Sequence, residues 1–97
     1  MLDALGDSTR RTIVERLRAS GPLAGGELAD TLPISRPAVS QHLKVLQGAG
    51  LVTHRAAGTR RLYAVDPAGF EVARRYLEEF WADALDSFKS FVEGDTP

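Results

Sequence analysis

Cysteine is absent from the 97 residues. That excludes disulfides, thiolate metal sites and thiol redox switching. No apolar run is long enough to span a bilayer, and the opening residues do not read as a secretory leader. A cytoplasmic protein with no membrane partner is the expectation. Catalytic patterns are missing as well. No Gly-rich phosphate loop follows a strand, and Ser40 and His42 stand two apart on a helix, so their side chains diverge. The chain does not read as an enzyme and calls for no cofactor. Aromatic residues are few, at 7% of the chain, and none precedes Tyr63.

Acid is missing from one region. Between Thr31 and Val65 there is no Asp or Glu, while Arg36, Lys44, Arg55, Arg60 and Arg61 give the window a charge of +5. The remainder holds seven basic residues against all thirteen acidic ones, a balance of −6. The net charge of −1 therefore averages a basic middle with acidic flanks. Such a footprint suits a polyanion.

Length and composition, with 43% hydrophobic and 26% charged residues, fit one soluble domain with a modest core. Met1 to Gly6 reads as a helical turn, and Asp7 as the cap of a helix whose stripe is Ile13, Val14 and Leu17. Ser20-Gly21-Pro22 stops it, so residues 1–20 are support helices. Arg10 and Arg11 read as solvated surface ahead of phosphate contacts. Leu23 to Leu32 predicts a short helix with a loose start, because Gly25 and Gly26 each cost about 1 kcal/mol in a helix interior.

Ser35 to Gly48 is the stretch around which the rest is arranged. Ser35 is a good N-cap, Pro37 falls in the first turn where a missing N–H is harmless, and Gly48 and Gly50 offer a stop. At about 100° per residue, Val39, Leu43 and Leu46 cluster on one side. Arg36, Pro37, Ser40, Gln41, Lys44 and Gln47 fill an arc of roughly 140° on the other. That arc has no acid and suits phosphates and base edges. His42 lies off it and reads as a packed, hydrogen-bonded histidine.

Residues 24–48 thus form a helix-turn-helix. Residues 51–65 follow as a two-stranded β-hairpin, with Leu51 to Arg55 and Arg60 to Val65 as strands and Ala56 to Thr59 as the turn. A helix-turn-helix followed by a hairpin is a winged helix. His54, at the hairpin's start, reads as a phosphate partner or exposed residue ahead of a metal ligand. Asp66-Pro67 opens a helix over 67–93 whose apolar residues recur at i, i+3, i+4 spacing from Phe70 to Val92. Part of the stripe caps the chain's own core. The rest is too wide for a small domain to bury and fits a two-fold homodimer. The expected fold is mostly α with a two-stranded β-hairpin, a winged helix-turn-helix that dimerises through its long C-terminal helix.

Several segments, in this order and spacing, resemble the ArsR/SmtB family of bacterial transcriptional repressors, over nearly the whole chain. They are Ala4-Leu5-Gly6-Asp7-Ser8-Thr9-Arg10-Arg11, Gly26-Glu27-Leu28-Ala29, Ser35 to Leu46, Gly50-Leu51-Val52 and Arg60-Arg61-Leu62-Tyr63. Tyr76-Leu77-Glu78-Glu79-Phe80-Trp81 is similar to a metal-independent branch. The resemblance implies a homodimer that places each recognition helix in a major groove of a double-stranded operator with two-fold-related half-sites, and so a cytoplasmic, nucleoid-associated protein. It implies base contacts from Arg36, Pro37, Ser40 and Gln41. Arg36 suits guanine and Gln41 adenine. Ser35, Lys44, Arg55, Arg60 and Arg61 are expected on the DNA backbone, with at least one wing arginine serving only solubility. Leu2, Leu5, Tyr76, Leu77, Phe80, Trp81, Leu85 and Phe88 are expected in the dimer interface.

The family's metal sites are missing their ligands. One uses Cys where this chain has Leu28-Ala29-Asp30. The other needs His on the last helix, and residues 66–97 contain none, leaving Asp83 and Asp86. Carboxylates alone make a poor zinc site. The expectation is a repressor acting by promoter occlusion that senses no metal at either family site, its inducer open. The alternative is a winged-helix protein-interaction module without specific DNA binding, against which the acid-free window argues.

Overall fold

The computed structural model describes residues 1–94. A 3-10 turn, Leu2–Gly6, leads into α1 (Ser8–Ser20), β1 (Leu23–Ala24), α2 (Gly25–Asp30), α3 (Arg36–Gly48), β2 (Val52–Ala57), β3 (Arg60–Val65) and α4 (Pro67–Gly94). The fold is a mostly helical winged helix-turn-helix. The helix starts follow side-chain chemistry. The Asp7 carboxylate accepts from the backbone N–H groups of Thr9 (2.8 Å) and Arg10 (3.0 Å). Ser35 Oγ accepts from Ala38 N–H at 3.3 Å, and Asp66 Oδ1 from Ala68 N–H at 3.0 Å. Each satisfies donors that a helix start leaves unpaired.

Several expectations change. The sheet has three strands in the order β1-β3-β2, all antiparallel. Leu23 and Ala24, expected at the start of the second helix, are extended and pair with Tyr63 and Leu62. They cover the open edge of β3, whose N–H and C=O groups would otherwise lack partners. The helix therefore begins at Gly25 and ends at Asp30, and its two glycines occupy its first turn. Glu27 Oε1 accepts from Ala24 N–H at 3.2 Å, the half of a capping box that needs no hydroxyl at the cap position.

The wing turn is tighter than expected. Ala56 and Ala57 stay in the ladder opposite Arg61 and Arg60, leaving Gly58 and Thr59 to reverse the chain. Gly58 takes φ +65°, which such a turn demands. Arg10 and Arg11 lie at the surface, Arg11 exposed and Arg10 partly covered, but each also has a partner within the chain. Arg10 Nε donates to Ala4 O at 2.6 Å and Arg11 donates to Leu5 O at 2.7 Å, so both fasten the N-terminal turn to α1.

Ile13, Leu17, Leu28, Val39, Leu43, Leu46 and Leu51 form the centre of the core and are fully buried. Leu5, Leu23, Tyr63, Val65 and Phe70 pack around them. The helix-turn-helix and the wing thus share one apolar mass that fixes their relative placement. The start of α4 joins it through Phe70 and buried Ala73. Gly69 lies against the backbone of Gly50, and a Cβ there would overlap the Gly50 carbonyl. The rest of α4 leaves the domain. A helix of its length spans about 42 Å. The molecule measures 69 × 26 × 21 Å, with a radius of gyration of 18.1 Å, where a compact chain of this size has about 13 Å.

Candidate nucleic-acid interface

α3 sorts its residues as the wheel predicts. Val39, Leu43 and Leu46 are buried, while Ser35, Arg36, Pro37, Ser40, Gln41 and Lys44 are exposed. The four expected base contacts and Lys44 therefore share an open face with no acid of α3 beside them. Arg36 does not simply project from this face. Its guanidinium lies over Gly26, about 3.3 Å from where a Cβ would stand, so the start of α2 supports it. A side chain at this position would require the guanidinium to shift by a few tenths of an ångström.

His42 is half-buried and outside this face, as expected. It takes no hydrogen bond among the described residues, contrary to the expectation of a bonded histidine. Asp7 is held below the ordinary carboxylate range, chiefly by the Arg10 backbone N–H, with Thr9 N–H, the Arg10 charge and His42 adding to it against a smaller desolvation cost.

The register divides the wing. Val52, His54 and Ala56 share one face of the hairpin with Val65, Tyr63 and Arg61. Val52 is buried, so this is the face that turns to the core. Thr53, Arg55 and Ala57 share the opposite face with Ala64, Leu62 and Arg60. Arg61 therefore lies on the core-side face, and Arg55 and Arg60 on the other. All three are exposed.

Two contacts were not readable from spacing. His54 Nδ1 meets the Gln47 side-chain amide, and the His54 ring sits 5.7 Å from that of Tyr63 at a tilt of 53°. This ties the end of α3 to the wing. His54 is thus engaged within the chain, and Gln47, expected on the outward arc, is half-buried. The second contact joins Arg60 to Glu27 of α2 in an ion pair. The acid-free window of the sequence is therefore not acid-free in space.

α4 carries the expected apolar residues into solvent. Tyr76, Leu77, Phe80, Trp81, Leu85 and Phe88 are exposed, and so are Val72, Phe91 and Val92. Leu2 is exposed at 38%, whereas Leu5 packs on the chain's own core. An apolar groove of about 420 Å³ runs between the N-terminal turn and α4, lined by Met1, Leu2, Asp3, Val72 and Tyr76. The polar side of α4 is bound by pairs of Arg74 with Glu71 and Glu78. The Arg74 side chain holds the Glu71 carboxyl below its ordinary range, and Glu71 raises Arg74 in turn. Exposed pairs of this kind add little stability. No described helix is long and apolar enough to cross a membrane.

Comparison with known proteins fits this geometry. A model of the Helix-turn-helix domain family matches residues 5–55. The HTH-type transcriptional regulator Rv2034 of Mycobacterium tuberculosis is 58% identical over 92 residues, covering 95% of this chain and 85% of the relative. The arsenical resistance operon repressor of Escherichia coli is 34% identical over 88 residues, covering 91% of this chain and 75% of the relative. Among solved structures, the homodimeric winged helix-turn-helix DNA-binding domain of Mb0332 from Mycobacterium bovis, a possible ArsR-family regulator, matches with a TM-score of 0.64. Its identity is 34%, over 84% of this chain and 73% of that one.

Proposed function

The chain belongs to the ArsR/SmtB family of winged helix-turn-helix transcriptional regulators, and from that premise we propose that it is a homodimeric, sequence-specific repressor of double-stranded DNA that works by promoter occlusion. The observation that carries the proposal is the exposed face of α3, where Arg36, Pro37, Ser40, Gln41 and Lys44 stand together without an acid of their own helix. Arg36 and Gln41 present the paired donors and acceptors that read guanine and adenine in a major groove. Lys44 and Ser35 suit the flanking phosphates, and Arg55 and Arg61 extend the cationic track onto the wing.

The exposed aromatic side of α4 supports self-association, which sets two α3 helices in a two-fold relation. The homodimeric Mycobacterium bovis domain gives the precedent within the family. A dimer on a two-fold site covers enough DNA to exclude a polymerase. Relief of binding comes from something other than a metal at the family's two known sites, since the sequence has no Cys and residues 66–97 have no His. Such a regulator acts in the cytoplasm, where the DNA is.

Gel shift at rising salt tests the reading, with a promoter fragment from the protein's own locus as probe. The expected result is a retarded complex whose log K falls linearly and steeply with log salt, with each neutralised phosphate adding about 0.9 to the slope. A folded dimer that retards no such fragment even at low salt overturns it.

A further inference from the structure

The Glu27–Arg60 pair joins two segments more than thirty residues apart, and the mechanism above leaves it unused. Arg60 is the first residue of β3, directly after the wing turn and opposite Ala57. It is therefore among the wing cations best placed to reach a phosphate. Its side chain is 56% exposed and that of Glu27 47% exposed, so the pair stands in water where an incoming phosphate can compete.

Glu27 has a second partner besides Arg60. The same oxygen that meets Arg60 accepts from Ala24 N–H at 3.2 Å. Ala24 in turn lies in β1, in register with Leu62 of β3, two residues from Arg60. The carboxylate is thus anchored beside the strand.

We propose that Glu27 masks Arg60, making it a positioning residue that sets how strongly the wing grips DNA. The inference rests on the DNA-binding reading above. A phosphate approaching Arg60 must displace a carboxylate oxygen that already meets the guanidinium in a charge-assisted contact. That carboxylate then stays nearby and repels the same backbone. In the free protein the pair is neutral, so the wing acts with two net cations, Arg55 and Arg61, although it carries three. Counterion release follows net charge at the contact, so Arg60 adds little to the salt dependence while Glu27 is present. The mask weakens sequence-independent holding and leaves base readout by α3 untouched. It therefore favours discrimination over raw affinity.

The test uses the full chain and a random-sequence duplex of about 30 base pairs, because the affected contact is to the backbone. Glu27→Gln keeps an oxygen for the Ala24 N–H and removes the charge. Affinity is expected to rise about threefold to tenfold per dimer, as expected for releasing two exposed pairs. The slope of log K against log salt should steepen by about 1.8, or about 0.9 for each protomer. Glu27→Ala, which removes the carboxylate by a second route, should steepen the slope equally. Asp30→Asn makes the same change in net charge on the same helix without freeing a wing arginine, and should leave the slope within about half a unit of wild type.

An unchanged slope in both Glu27 variants overturns the mask, and so does weaker binding, which would make Glu27 a brace for the wing. An equal gain in Asp30→Asn overturns it too, by showing a general charge effect. Wild-type dimer that binds no duplex at all would instead remove the DNA-binding reading on which the mask rests.

Discussion

Arg36 and Gln41 stand five residues, about 1.4 turns, apart on the open face of α3, and side chains of these two types can each make two hydrogen bonds to one purine. Replacing either with alanine is expected to cost about 1–3 kcal/mol of operator affinity and to relax the base preference at one position in each half-site. Competition binding with single-base operator variants measures this. Equal losses on operator and random DNA would assign these residues to phosphates. The Arg36 guanidinium also lies over Gly26 at the start of α2. At this scale the sequence was informative about types and poor about partners. Ser35, Asp7 and Asp66 announced their capping roles, because a cap is a local contact two or three residues away. The Arg60–Glu27 and Gln47–His54 contacts depend on tertiary placement, and no spacing rule reaches them.

Among the elements, α4 has the most unfinished surface. Its first turns close the core through Phe70 and Ala73, and beyond them Phe80, Trp81 and Phe88 are 61%, 66% and 63% exposed. A second copy can cover that surface. Trp81→Glu and Phe88→Glu are each expected to weaken dimerisation by about 3 kcal/mol or more, roughly a hundredfold, since an unpaired charge in an apolar interface is heavily penalised. Sedimentation at micromolar concentration should find monomers, and operator binding should fall with them. An unchanged dimer in both variants would place the interface elsewhere. The long periodicity of α4 made this helix legible from the sequence, and its Asp66-Pro67 start fell where capping chemistry put it. The start of the second helix is not legible for the converse reason. Two residues, Leu23 and Ala24, carry no β pattern of their own, and only the open edge of β3 makes them a strand. The wing turn was read too long because Ala56 and Ala57 are neutral between strand and turn, and Gly58 alone lets the chain reverse late.

For the whole molecule, shape and charge lead to the same arrangement. A helix-turn-helix and wing share one core, so α3 and the hairpin are carried as a rigid unit. The projecting α4 stretches the molecule to 69 Å, and its exposed aromatics call for a partner. Two such units related by a dyad present two acid-poor α3 faces to successive major grooves on one side of a duplex. Binding-site selection from fragments of the source genome, with the intact dimer, tests that claim most directly. The account predicts enrichment of inverted repeats whose half-site centres lie about one helical turn, roughly 34–36 Å, apart. Recovery of no preferred sequence, or of single sites without two-fold symmetry, would contradict it.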